Sequence, residues 1–260
     1  MKIAGIDPSM NSSGRVIMDL DDGTFDIRDI QFYGYQPKLN AVLETGHVHI
    51  MCSGTDYDRM PMLVRQDRAL AILDRDMEDV KYVSFEDYAY EEANKGDSNS
   101  IFQIGEFCGI YRRHFYLQGK GIVTYGIGQI KRFATGDGQA KKVAMCESMR
   151  ELYPQFYYPE FDAFPKQYES PHSDLCDAFW MCEILRNHIK HDILGPDSLP
   201  ANVRALLCSP ATKGSADRRA LVDYPMIIRS EWPVDLAALA ERKKAKRKKS
   251  TTHTLKGVSL

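Results

Sequence analysis

Several features are missing from this 260-residue chain, and each absence narrows the field. No stretch approaches 18 uncharged apolar residues, so no membrane-spanning helix is expected. The opening MKIAGID runs straight into a strand-like segment, without the basic-then-apolar pattern of a secretory signal. The protein is therefore expected to remain in a cytoplasm. Six cysteines, at positions 52, 108, 146, 176, 182 and 208, form no CxxC pair. That argues against a zinc ribbon or a disulfide framework and for buried free thiols. No internal repeat is visible.

What is present is an ordinary globular composition, 43% hydrophobic and 27% charged. The length suits one sizeable domain with an appendage. The net charge of −2 hides an asymmetry. Residues 241–249, ERKKAKRKK, carry seven basic side chains and one acid, so this segment is +6 and the remainder −8. Such a tail either attracts phosphate without sequence preference or is simply a solvated, disordered end. The pattern divides the chain into a domain over 1–192, an appendage over 193–240 and a basic tail over 241–260.

Strand patterns at 2–7, 14–20 and about 25–35 read as a meander, with DLDDGT as its second turn. A short strand is expected near 46–51 and a helix over 60–76, where Leu63, Val64, Ala71 and Ile72 recur at helical spacing. A strand over 80–86 follows, then a polar loop, EEANKGDSNS, and a helix over 99–118. A strand over 121–126 leads into a Gly-broken loop, GQIKRFATGDGQ, and a helix over 139–152. A Pro-rich aromatic segment precedes a long helix, with Ser173 read as its N-cap. The order predicts an α/β sheet with a meander at one edge.

Two of these strands end in acids. The buried-looking run Ile3–Ile6 meets Asp7, and VKYVSFE ends at Glu86. In open α/β sheets, sites form at the carboxyl ends of strands. The last helix adds Asp174 and Asp177, whose i, i+3 spacing places them on one face. Each acid has an ordinary explanation alone: a turn cap beside Ser9, Ser12 and Ser13, a surface strand end, a helix start, a partner for lysine. Together they are four candidates for one cluster. Clustered carboxylates repel and raise one another's pKa values. Divalent cations that favour oxygen ligands, Mg²⁺ or Mn²⁺, remove that penalty, and a pair of them suits in-line phosphoryl chemistry.

These segments resemble motifs of the RuvC-like Holliday-junction resolvases. GIDPSMNSSG is similar to the opening motif, FEDYAY to the second, IKRFATGDGQAKKVAM to the Lys-led third region, and SDLCDAFWMCEIL to the closing motif. The likeness spans roughly residues 1–190, with longer spacing between the first two motifs, as in a divergent, phage-encoded member. It implies an RNase H-like fold: a five-stranded mixed sheet, its first three strands antiparallel, flanked by helices. It also implies a homodimer cutting two strands of a branched, four-way DNA junction. Asp7, Glu86, Asp174 and Asp177 would hold two Mg²⁺ ions, Mn²⁺ substituting, with no small-molecule cofactor. Lys131 and Lys142 match the basic positions, and the Lys141–Lys142 pair leaves that match ambiguous by one residue.

Other features are weaker. The loop GDGQAKK could offer backbone N–H groups to a phosphate or be a plain turn. The aromatics between Tyr153 and Phe164, and Phe107, suit packing better than base stacking, while Phe102 lies on the same helix as Phe107. His172 could support the acid pair, and His47 and His49 fit an exposed strand face. Two other classes compete with an endonuclease. A non-catalytic nucleic-acid-binding protein could keep the fold, although four intact acids argue against it. An actin-like or sugar-kinase ATPase also opens with a strand and an acid, but needs a second copy of the domain that the sequence lacks.

Overall fold

The computed structural model describes residues 1–9, 12–37, 43–52, 59–86, 98–164 and 166–208. Residues 87–97, which hold most of the expected polar loop, the part of the expected appendage beyond Cys208 and the basic tail lie outside these residues. Strands β1 (Lys2–Asp7), β2 (Ser13–Leu20) and β3 (Ile27–Tyr35) form the antiparallel meander. Its second turn is closed by Asp21, whose Oδ1 accepts the Gly23 and Thr24 backbone N–H groups at 2.8 and 2.9 Å. A short Asp side chain can mimic a backbone turn in this way.

Two further pieces extend the outer edge of β3, namely β4 (Leu43–Glu44) and β5 (Val48–Met51). On the other side, β6 (Val80–Glu86) runs parallel to β1, and β7 (Gly121–Tyr125) parallel to β6. The sheet therefore has seven strands in the order β4-β5-β3-β2-β1-β6-β7, two more than the five expected. The extra pair covers backbone groups that β3 would otherwise leave open. Thr45 Oγ1 accepts the Val48 N–H at 3.1 Å and fixes the hairpin.

Helices cover both faces, so the central strands read as nearly continuous apolar runs. Alternate side chains feed two cores. Ile3, Val16, Met18 and Phe32 face α3 (Ile127–Thr135), α4 (Lys142–Leu152) and α6 (His172–Leu194). Ala4, Ile6, Tyr33 and Phe85 face α1 (Met62–Leu73) and α2 (Ser98–Leu117), where Phe107 is fully buried. Arg15, buried on β2, donates to the Leu73 and Arg75 carbonyls and lies 3.9 Å over the Tyr33 ring. It thereby caps the C-terminus of α1, where the helix dipole favours a cation.

The aromatic segment folds as packing. Phe161, within the short α5 (Pro159–Asp162), is fully buried against Phe32, with ring centroids 5.0 Å apart. Cys52, Cys108, Cys146, Cys176 and Cys182 are free thiols, all but Cys52 buried. Among the described residues no helix is long and apolar enough to cross a membrane. Leu199 and Leu207, the latter on α7 (Ala201–Cys208), join the core beneath α6.

Two expectations are corrected. The stretch 128–139 is not a Gly-broken loop, because α3 occupies its first part. Ile130, Phe133 and Ala134 form a buried stripe there, and the flanking glycines are its caps. Gly136 sits at φ 82°, the left-handed position that ends helices and suits glycine. Ser173 is not an N-cap either. The helix starts at His172 after Pro171, and Ser173 lies in its first turn, using its hydroxyl elsewhere.

Candidate metal centre

The site is built by register. Asp7 pairs with Gly14 across β1 and β2. Ile6 pairs with Phe85 in the parallel β1–β6 ladder, so Asp7 and Glu86 end neighbouring strands at the same sheet edge. The long helix α6 is laid directly on these strands. A Cβ on Gly5 would stand 2.5 Å from the Cys182 nitrogen and 3.0 Å from its Cα. A Cβ on Gly14 would stand 2.9 Å from the Leu175 nitrogen and closer still to the Asp174 carbonyl. Both positions admit glycine alone at this approach, and the approach delivers Asp174 to the strand ends. Asp177 follows three residues later on the same face.

The electrostatics record the convergence. The Asp7 carboxyl is pushed well above the usual carboxylate range by burial first, then by Asp177, Asp174 and Glu86, with Lys142 pulling the other way. Asp177 rises to about 6, again chiefly through burial, with Asp174 adding to the rise and Lys142 and Lys131 opposing it. Burial would lower the Lys142 ammonium, but Asp174, Asp177 and Asp7 outweigh it and hold its pKa above the ordinary lysine value. All four predicted acids thus interact at one place, with Lys131 and Lys142 beside them.

Each side chain has a distinct anchor. Lys142, the first residue of α4, places Nζ 3.6 Å from Asp174 Oδ1 and donates to Ser173 Oγ at 3.2 Å. Lys142 rather than Lys141 therefore reaches the acids. Lys131 projects from α3, within the stretch expected to be a loop. Asp174, only 4% exposed, accepts the Ser12 hydroxyl at Oδ2 and that of Ser173 at Oδ1, the latter at 3.3 Å. Arg112, on α2, donates to the Glu86 carbonyl at 2.7 Å and ties that strand end to the opposite helix layer. Sequence reading missed Arg112 and gave Ser12 and Ser173 other roles, a turn partner of Asp7 and an N-cap, because the Ser12–Asp174, Lys142–Ser173 and Arg112–Glu86 bonds form only by tertiary contact.

His172 does not support the acids. Its Nδ1 accepts the Tyr168 N–H at 3.1 Å, and its Nε2 lies 3.1 Å from the Tyr157 hydroxyl, among aromatic rings. Burial lowers its pKa, so the ring is neutral and Nε2 carries the proton. The ring also approaches Cys146 and Cys176 closely. With both nitrogens engaged, it has no lone pair left for an ion there.

An all-oxygen donor set of four carboxylates, two of them with raised affinity for protons, fits a hard divalent cation. Imidazole nitrogen or thiolate sulfur ligands would be expected for zinc or copper.

No protein-family model matches the chain, and no curated protein matches it. Solved structures do. The Thermus thermophilus RuvC structure is 17% identical with a TM-score of 0.45, covering 75% of this chain and 97% of that one. The same organism's RuvC in complex with a Holliday junction substrate is 19% identical with a TM-score of 0.43, covering 75% and 96%. The yeast mitochondrial Holliday junction resolvase Ydc2 is 8% identical with a TM-score of 0.44, covering 69% and 75%. The chain's own fold is an antiparallel meander continued by parallel strands, with helices on both faces.

Proposed function

We propose that this protein is a metal-dependent, structure-selective endonuclease that cleaves branched DNA such as four-way junctions. The observation that carries the reading is the meeting of Asp7, Glu86, Asp174 and Asp177 at one sheet edge, flanked by Lys131 and Lys142. These four acids would hold two Mg²⁺ ions, with Mn²⁺ able to replace them. When bound, such ions stabilise charge on phosphoryl oxygens and lower the pKa of a coordinated water.

The chain's own groups do the rest by position. Lys142 offers a cation that its acid neighbours keep protonated, suited to a scissile phosphate. Lys131 adds a second positive group on the Asp177 side. Water attacks phosphorus in line, and the bond from phosphorus to the leaving oxygen breaks. Two strands of a junction need two such cuts, which a twofold pair of copies supplies. The basic segment 241–249 adds phosphate attraction without sequence reading.

The test is incubation with a labelled four-way junction, a linear duplex and an RNA–DNA hybrid, with and without Mg²⁺. The junction should be cut only with Mg²⁺ or Mn²⁺. Asp7→Asn should abolish cutting while junction binding persists. Cleavage of the hybrid alone, or parent-rate cutting by Asp7→Asn, would falsify the assignment.

A further inference from the structure

We propose that Ser12 and Gln36 form a positioning relay that fixes the Asp174 carboxylate for ion binding, a role that rests on the metal-centre reading above. The Ser12 side chain, from the turn between β1 and β2, is 8% exposed and donates its hydroxyl to Asp174 Oδ2. A serine hydroxyl has one proton and two acceptor sites. Gln36, just past the end of β3, fills one acceptor site with its Nε2 at 2.6 Å. Its own backbone N–H is held by the Met51 carbonyl at 2.9 Å, so the amide is anchored to the sheet edge. The hydroxyl proton is therefore aimed at Asp174.

The other carboxylate oxygen is held from the opposite side. Oδ1 accepts the Ser173 hydroxyl, and Lys142 stands over both. Donors on each oxygen, from separate elements, stop the carboxylate from turning and fix its remaining lone pairs. Among the described residues no side chain does this for Asp7 or Asp177. Asp174 is thus preset where Asp7 and Asp177 are not, and the relay is what presets it. Partners that orient metal ligands in this way are worth about 10–100-fold in affinity or activity.

The test uses the full chain as parent, Ser12→Ala, Ser12→Thr and Gln36→Leu. Mn²⁺ affinity is read by titration calorimetry without DNA, thermal unfolding in EDTA, and single-turnover cleavage of a four-way junction with Mg²⁺. Ser12→Ala should weaken Mn²⁺ binding and slow cleavage by about 10–100-fold, with junction affinity unchanged. Ser12→Thr, which keeps the hydroxyl, should restore both, and Gln36→Leu should fall between. Parent-like Mn²⁺ affinity in Ser12→Ala overturns the relay, as does an equal loss in Ser12→Thr. A parent that binds Mn²⁺ but cuts no junction sinks the nuclease reading alone, since calorimetry still decides the relay.

Discussion

Replacing Gly14 by alanine puts the geometric account at risk most directly. The new Cβ would meet the Leu175 nitrogen at 2.9 Å and the Asp174 carbonyl closer still, whereas ordinary contact begins at 3.4 Å. The obstacle is backbone on both sides, so no side chain can swing away. Restoring contact with the Leu175 nitrogen needs about half an ångström, and the carbonyl needs more, so the start of α6 must retreat by about 1 Å. A misplacement of that size costs about 100-fold in rate. Overpacking of a tight core adds a stability loss of about 1–3 kcal/mol. The assay pairs urea unfolding with single-turnover junction cleavage, and includes Mn²⁺ calorimetry. Gly46→Ala is the control, because nothing lies within 4 Å of its Cβ, and it should match the parent. A Gly14→Ala variant as stable as the parent, with parent Mn²⁺ affinity, would refute the claim that glycine sets the distance between helix and strands.

Other consequences can be checked in parallel. Because Asp177 is raised to about 6, the folded metal-free protein binds protons more tightly than the unfolded chain between roughly pH 4 and 6. Its stability should therefore fall as pH rises through that window, and saturating Mg²⁺ should abolish the fall; a melting temperature flat from pH 4.5 to 7 contradicts this. For the same reason, cleavage should rise with pH through about 6 and reach its plateau at lower pH as Mg²⁺ increases. Glu183 is fully buried and accepts from Tyr153, Arg186 and Asn187 at 2.5–2.7 Å. Glu183→Ala leaves the largely buried Arg186 guanidinium without its carboxylate, so urea unfolding should show a loss of about 3 kcal/mol; a loss below 1 kcal/mol would mean that the network is solvated.

Much of this architecture was legible from residue order. The β1, β2 and β6 runs are short, apolar and bounded by turn residues, and α6 is too long and too apolar to be anything but a buried helix. The acids were legible because they interrupt these patterns. Helix α3 was not, since the two glycines that bound it look like breakers when their caps are unseen. Strand β5 matches the short strand expected near 46–51, but β4 rests on two residues of pairing, below any periodic signal. Ser12 lies 162 positions from Asp174, and Gln36 acts through Ser12. No local pattern could link them, because the link exists only after α6 settles on the meander. The glycines at 5 and 14 were visible as letters, but their meaning depends on the same docking.

That docking has a bearing on biosynthesis. Helix α6 closes one hydrophobic layer and also carries half of the acids, and it follows every strand of the described residues in chain order. A growing polypeptide that has made Asp7 and Glu86 owns neither a finished interior nor a complete cage of oxygens. Completion of the acid cluster and completion of the core therefore arrive with the same segment.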